Sequence, residues 1–110
     1  MENSIFNIRN ATKDDMSSVM KLIQELAHFE NEPQAVIVTE QDLIRDGFGE
    51  NPLFKCFVAE ISDEIVGMAL FYPRYSTWKG PTIHLEDLIV TDSKRGLKIG
   101  GALYAKVIEY

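Results

Sequence analysis

Apolar and polar side chains alternate over residues 5–9, Ile-Phe-Asn-Ile-Arg, as in a half-buried strand, and Asn10-Ala11 ends the run. The period then lengthens. Met16, Val19, Met20, Ile23, Leu26 and Ala27 recur at helical spacing and predict an amphipathic helix running to about Phe29. Ahead of it, Thr12-Lys13-Asp14-Asp15 fits a capping box, with the Thr12 hydroxyl taking an orphan amide proton and Asp15 returning the favour. Thr39-Glu40-Gln41-Asp42 is a second such box and opens a short helix through Leu43 and Ile44. Gly47 and Gly49 are expected to close that helix by accepting the left-handed conformation. Residues 54–61 and 65–72 read as two strands joined in a hairpin by Ser62-Asp63-Glu64. A turn at 75–80, a strand at 82–90, a loop at 92–98 and an amphipathic helix at 99–108 complete the pattern.

The order β, α, α, β, β, β, α predicts an α/β domain with a mainly antiparallel sheet flanked by helices. A last helix with nothing after it leaves Leu103, Val107 and Ile108 in need of a cover. The chain is therefore expected to be a domain truncated after its third helix.

With 110 residues, 45% of them hydrophobic and 25% charged, the composition is that of one ordinary domain. Cys56, the only cysteine, lies in the apolar run 54–59 and is expected to be a buried thiol, so neither an intrachain disulfide nor a cysteine metal cluster is expected. No apolar stretch reaches the ~20 residues of a membrane span, and Met1-Glu2-Asn3-Ser4 lacks a basic leader, which predicts a cytoplasmic protein. A net charge of −6 argues against nucleic acid and is compatible with a cationic substrate, although many acidic proteins bind none. His28 and His84 read as packing or surface residues, and Trp78 as a loop anchor.

The candidate chemistry lies between Tyr75 and Gly101. A turn at Asp92-Ser93-Lys94, then Arg95-Gly96 and a helix start near Ile99, would aim unpaired N–H groups and a helix dipole into one concavity suited to a pyrophosphate. A plain packing contact explains such a loop as well. It is neither a P-loop, lacking Gly-Lys-Ser/Thr, nor a dinucleotide fingerprint. The preceding strand carries Glu86-Asp87 in an otherwise apolar run. Strand alternation allows at most one of the pair to face the core, so the other is expected in a cleft or in solvent. There a carboxylate can attract an alkylammonium ion and take its proton through water, or simply brace a loop.

These residues resemble a known family. The strand, the loop and the helix are similar to the cofactor motif of the GNAT acetyltransferases, Arg/Gln-x-x-Gly-x-Gly/Ala. Residues 46–52, 56–60, 75–80 and Leu85-Glu86-Asp87 resemble the diamine (spermidine/spermine) acetyltransferases, and Ser76-Thr77 most closely their thialysine branch, since the polyamine branch has Asp and Pro there. The resemblance implies the acyl-CoA N-acyltransferase (GNAT) fold, represented in 1–110 by its amino-terminal portion. It also implies transfer of acetyl from acetyl-CoA to a primary amine of a small diamine, polyamine or thialysine-like amino acid, with no metal, in a homodimer. Glu86 would be the catalytic carboxylate, and Phe29, Glu30, Ser76, Thr77 and Asp87 would line the amine site. Leu88, Ile89 and Val90 would pair with the pantetheine arm. Arg95, Gly96, Leu97, Lys98, Ile99, Gly100 and Gly101 would hold the pyrophosphate.

Two residues depart from the pattern. Lys98 stands at the family's first motif glycine, and the family's general acid, a tyrosine on a later helix, is matched by none of Tyr72, Tyr75, Tyr104 and Tyr110. These departures favour the alternative of a catalytically silent CoA-binding or dimerisation module. An acetyltransferase for another amine, such as an aminoglycoside or peptide, is the other alternative.

Overall fold

The computed structural model describes residues 5–110, so that Met1-Glu2-Asn3-Ser4 lie outside the described residues. Strand β1 spans Asn7–Asn10, two residues later than its first expected position. Its partner β2, Lys55–Ile61, meets it antiparallel with Ile8 opposite Ala59. Between them in sequence come helix α1, Met16–Phe29, and helix α2, Glu40–Phe48.

Both helices start where capping residues sit, by different means. At α2 the box is reciprocal: Thr39 N–H donates to Asp42 Oδ2 at 2.9 Å and Asp42 N–H to Thr39 Oγ1 at 3.1 Å. Ahead of α1 a 3₁₀ turn over Lys13–Asp15 intervenes, and the Asp15 carboxylate is the acceptor for Thr12 N–H at 2.7 Å and the Thr12 hydroxyl at 3.2 Å. Both oxygens of Asp15 also accept from Arg9, at 2.8 and 3.0 Å, which ties the helix start to β1 and holds this carboxyl below its usual range.

Gly47 and Gly49 have other reasons than the expected one. Gly47 lies inside α2, where an added Cβ would come within 2.3 Å of the Phe54 ring, so the residue is small because the ring fills its place. Gly49 caps the helix in an extended conformation, φ −86° and ψ −165°.

Strand β3 spans Glu64–Ser76 and β4 spans Gly80–Val90, giving a sheet in the order β1-β2-β3-β4 with every pairing antiparallel. The β2–β3 turn places Ser62 and Asp63 at φ +49° and +68°, the twist that a tight two-residue hairpin requires. β3 runs past Tyr72 because it outlasts β2: beyond Phe71 it pairs with β4 alone, and the open flank accepts Pro73. Helix α3, Ile99–Glu109, follows a second 3₁₀ turn at Asp92–Lys94.

The sheet has a core on each face. Met16, Val19, Leu22 and Leu43 from α1 and α2 pack on Cys56, Val58, Met68, Leu70 and Ile89. On the other face Ile99, Leu103 and Val107 of α3 cover Phe57, Ala59, Val66, Ala69 and Phe71. Each large side chain so buried contributes roughly 1.5–3 kcal/mol. Leu103 and Val107 thus have their cover in the sheet, and of the three α3 residues expected to lack one only Ile108 is exposed.

Candidate active site

Strand β4 carries one residue too many for its partner. Leu70 pairs with Asp87 and Phe71 with Leu85, so Glu86 has no counterpart and forms a β-bulge. The bulge changes which way the strand's side chains point. Leu85 packs with the α3 core, whereas Asp87 lies across from Leu70, whose side chain belongs to the α1–α2 core. Glu86 and Asp87 divide as expected, one towards solvent and one towards the core, but through the bulge and not through an unbroken alternation. Glu86 is exposed, with its Oε1 at 3.7 Å from His84 Nε2. Asp87 is half-buried, and burial first, then the charges of Glu86 and Glu30, push its carboxyl above the usual range.

Downstream of the bulge β4 leads into the glycine-bearing loop, which α1 holds in place. Glu25 accepts from the Thr91 hydroxyl at 2.8 Å and from Asp92 N–H at 2.7 Å. Arg95 folds back, donating to the Val90 carbonyl at 3.1 Å, pairing with Asp92 at 3.3 Å and lying 5.3 Å above the Phe29 ring. Gly96, at φ +89°, makes the turn that follows, and Lys98, at φ +68°, is the residue from which α3 starts. No side chain caps α3, and its first intrahelical bond runs from Ala102 N–H to the Lys98 carbonyl. The N–H groups of Ile99, Gly100 and Gly101 are thus available to an acceptor at the positive end of the helix dipole.

Loop, strand and helix enclose an open cleft of about 570 Å³. Its walls include Leu88, Ile89, Val90, Arg95, Gly96, Lys98, Ile99 and Gly100 of the expected cofactor residues, and Phe29 and Glu30 of the expected amine site. Leu26 and Lys94 join them. Leu97 and Gly101 do not line the cleft, nor do Glu86 and Asp87, which lie just along β4 from Leu88. Ser76 and Thr77 are farther still, at the tip of the β3–β4 hairpin, about 20 Å along the strand from Glu86 at an extended rise. There the Ser76 hydroxyl accepts from the N–H groups of Trp78 at 3.2 Å and Lys79 at 3.1 Å, bracing the turn.

Sequence reading missed Glu25, Leu26 and Lys94. Lys94 was within reach, since it adjoins Arg95. Glu25 sits on an amphipathic helix 66 residues before its partner Thr91, and no local pattern distinguishes it from a solvated helix carboxylate.

The arrangement suits an extended ligand with a phosphorylated end. β4 is the sheet's outer strand on this side, with one row of backbone groups unpaired among the described residues. The α3 amides and the ammonium groups of Lys94 and Lys98 suit phosphate, while Glu30, Glu86 and Asp87 gather negative charge that suits a cation. Among the described residues no cluster of three or more His, Cys, Asp or Glu is placed to hold a metal, and no helix is long and apolar enough to cross a membrane.

The same fold occurs among solved structures. An aminoglycoside acetyltransferase from a soil metagenome, in complex with sisomicin, superposes with a TM-score of 0.74 over 96% of this chain and 68% of that one, at 20% identity. Residues 16–110 match the acetyltransferase (GNAT) family, and the chain belongs to it. Thialysine N-epsilon-acetyltransferase of Mus musculus is 43% identical over 93% of this chain and 65% of that protein. Spermidine/spermine N(1)-acetyltransferase-like protein 1 of Homo sapiens is 41% identical over 93% of this chain. The chain thus spans 65% of the length of the mouse protein and 16% of the human one.

Proposed function

We propose that this chain carries the cofactor cleft and amine-capturing carboxylates of an N-acetyltransferase that moves acetyl from acetyl-CoA to the primary amine of a small diamine, polyamine or thialysine-like amino acid. The observation that carries this reading is the bulge at Glu86. It sets an exposed carboxylate beside half-buried Asp87, two residues along β4 from the wall of a cleft that ends in the uncapped start of α3.

Acetyl-CoA supplies an activated acetyl thioester. Lys94, Lys98 and the N–H groups of Ile99 and Gly100 would hold its pyrophosphate, and the outer edge of Leu88, Ile89 and Val90 would align its arm as a further strand. Glu30, Asp87 and Glu86 draw in an ammonium group by charge. Glu86, the most exposed of the β4 pair, then takes a proton through water, freeing the nitrogen lone pair for attack on the carbonyl carbon. A backbone N–H of residues 88–90 donates to the carbonyl oxygen as charge develops there. None of the described residues lining the cleft is a tyrosine, and no proton donor to the departing thiolate is assigned. A homodimer belongs to the same reading and rests on the resemblance, and a cytoplasmic setting rests on the sequence expectation given above.

Titration with acetyl-CoA tests the cofactor half. A ligand at a hundred times its Kd stabilises the folded chain by about 2.7 kcal/mol, which a thermal melt detects. No stabilisation and no heat at millimolar acetyl-CoA would overturn the reading. Glu86→Gln tests the chemistry: turnover should drop roughly 10²–10⁴-fold, and an unchanged rate would remove Glu86 from the mechanism.

A further inference from the structure

Past Glu86, away from the cofactor loop, β4 continues to His84. Arg74 on β3 reaches across, its Nη1 at 3.1 Å from His84 Nδ1. An arginine can only donate, so this contact makes Nδ1 the acceptor and puts the ring proton on Nε2. Nε2 faces Glu86 Oε1 at 3.7 Å. Three side chains thus form a row with a guanidinium at one end and the amine-capturing carboxylate at the other. Tyr72, paired with His84 across the strands, packs its ring 5.2 Å from the imidazole and supports the row from beneath.

Arg74 differs from the chain's other arginines. Arg9, Arg45 and Arg95 each pair with a carboxylate, whereas Arg74, among the described residues, meets none and is exposed. In a chain of net charge −6 such a cation at the end of an acidic site is a selecting element, because it repels a second ammonium group and attracts an anion. We infer that Arg74, oriented by His84, is a subsite for the carboxylate of an ω-amino acid whose amine lies at Glu86. The inference rests on the amine-acetylating reading above and narrows it from polyamines towards zwitterions.

The span agrees. Contacts of 3.1 and 3.7 Å with an imidazole ring of about 2 Å between them put Arg74 Nη1 at most about 9 Å from Glu86 Oε1. An extended lysine-length skeleton separates its ammonium nitrogen from its carboxylate by roughly 7–8 Å. One such molecule can bridge both ends. A polyamine of equal length would bring a positive charge to the guanidinium. His84 is the positioning residue, since its ring sets where the guanidinium lies and directs an N–H towards Glu86.

Lysine and cadaverine make the test, because they share the ω-amine and differ in the carboxylate. Each is titrated into the ¹⁵N-labelled full chain while the His84 ring nitrogens are followed, and each is offered for acetylation with acetyl-CoA. Lysine should bind roughly ten- to a hundredfold more tightly than cadaverine, the range of a charge-assisted bidentate contact, and should shift Nδ1 of His84 where cadaverine does not. Arg74→Met should abolish that preference, raising the KM for lysine, which loses its carboxylate partner, and lowering that for cadaverine, whose second ammonium is no longer repelled. Arg74→Lys should restore part of it, which a merely structural role would not do. If neither amine is turned over but lysine alone shifts His84, the acetylating reading fails and the subsite stands. Equal binding of the two amines, or a lysine preference that survives Arg74→Met, overturns the subsite whether or not acetylation is seen.

Discussion

Lys98 is a lysine in the left-handed region, φ +68° and ψ +18°, at the point where the cofactor loop becomes α3. Replacing it by glycine relieves the clash between Cβ and the following carbonyl, worth about 1–2 kcal/mol at such a conformation. Against this, glycine adds freedom to the unfolded chain and costs about 0.4–1 kcal/mol. The relief wins, with a net gain of roughly 0.5–1 kcal/mol. No packing is lost in return, since Lys98 is exposed. An unfolding entropy of about 2.1 cal/mol/K per residue gives a chain of 110 residues about 0.23 kcal/mol/K, so Lys98→Gly should raise Tm by roughly 2–4 °C. Lys98→Ala is the control: it keeps the Cβ and the strained backbone, removes the exposed side chain beyond Cβ with its ammonium group, and should stay within about 0.5 kcal/mol of the parent. Differential scanning calorimetry of the three proteins decides the matter. A Tm for the glycine variant at or below the parent's, or an equal rise in the alanine variant, would refute the strain argument. Acetyl-CoA affinity reads the charge separately, since both variants lose the ammonium group and should weaken together if it contacts phosphate.

Gly47→Val should destabilise by about 2–3 kcal/mol in urea titration, because its Cβ and methyl groups would overlap the Phe54 ring inside α2, where any added Cβ meets that ring within 3 Å. Asp87→Asn should stabilise the fold at neutral pH. Its folded-state carboxyl is raised, so the folded chain favours the protonated form; ionisation costs stability as pH climbs through the folded value, and the variant's advantage should vanish once pH falls below the ordinary carboxyl range near 3.8. A pH series of thermal melts checks both the sign and the window. Cys56, whose thiol burial pushes up to about 12, should resist alkylation in the native chain at pH 8 and react at the rate of unfolding; labelling as fast as a free thiol would contradict its buried place beneath α1 and α2.

Local rules carried the reading a long way where the governing contact is local. The box at Thr39 and Asp42, the Ser62-Asp63 turn and the stripe from Met16 to Ala27 each reach only a few residues, and each was legible. The shape of the loop before α3 was legible in the same sense, since Gly96 and the start of α3 are neighbours in sequence as in space. Failures began where a partner strand decides. Nothing in Leu85-Glu86-Asp87 tells how Leu70 and Phe71 will register against it, so the bulge could not be read from alternation. Gly47 answers to a ring seven residues away, and Glu25 to a loop on the far side of β2, β3 and β4 in the chain. Ser76-Thr77 matched the family motif, yet the hydroxyl of Ser76 serves its own turn.

The extra residue in β4 lets the group it presents change independently of the sheet that presents it. Replacing Glu86 exchanges a functional group and leaves the neighbours where they are. Deleting it removes only the residue that has no partner, so that Leu85 stays opposite Phe71 and His84 opposite Tyr72 while the bulge closes into a regular ladder without its exposed carboxylate. A lineage carrying this sheet can therefore exchange or lose what stands at position 86 without re-registering the strand, whereas losing any paired residue of 80–85 would slip those that precede it.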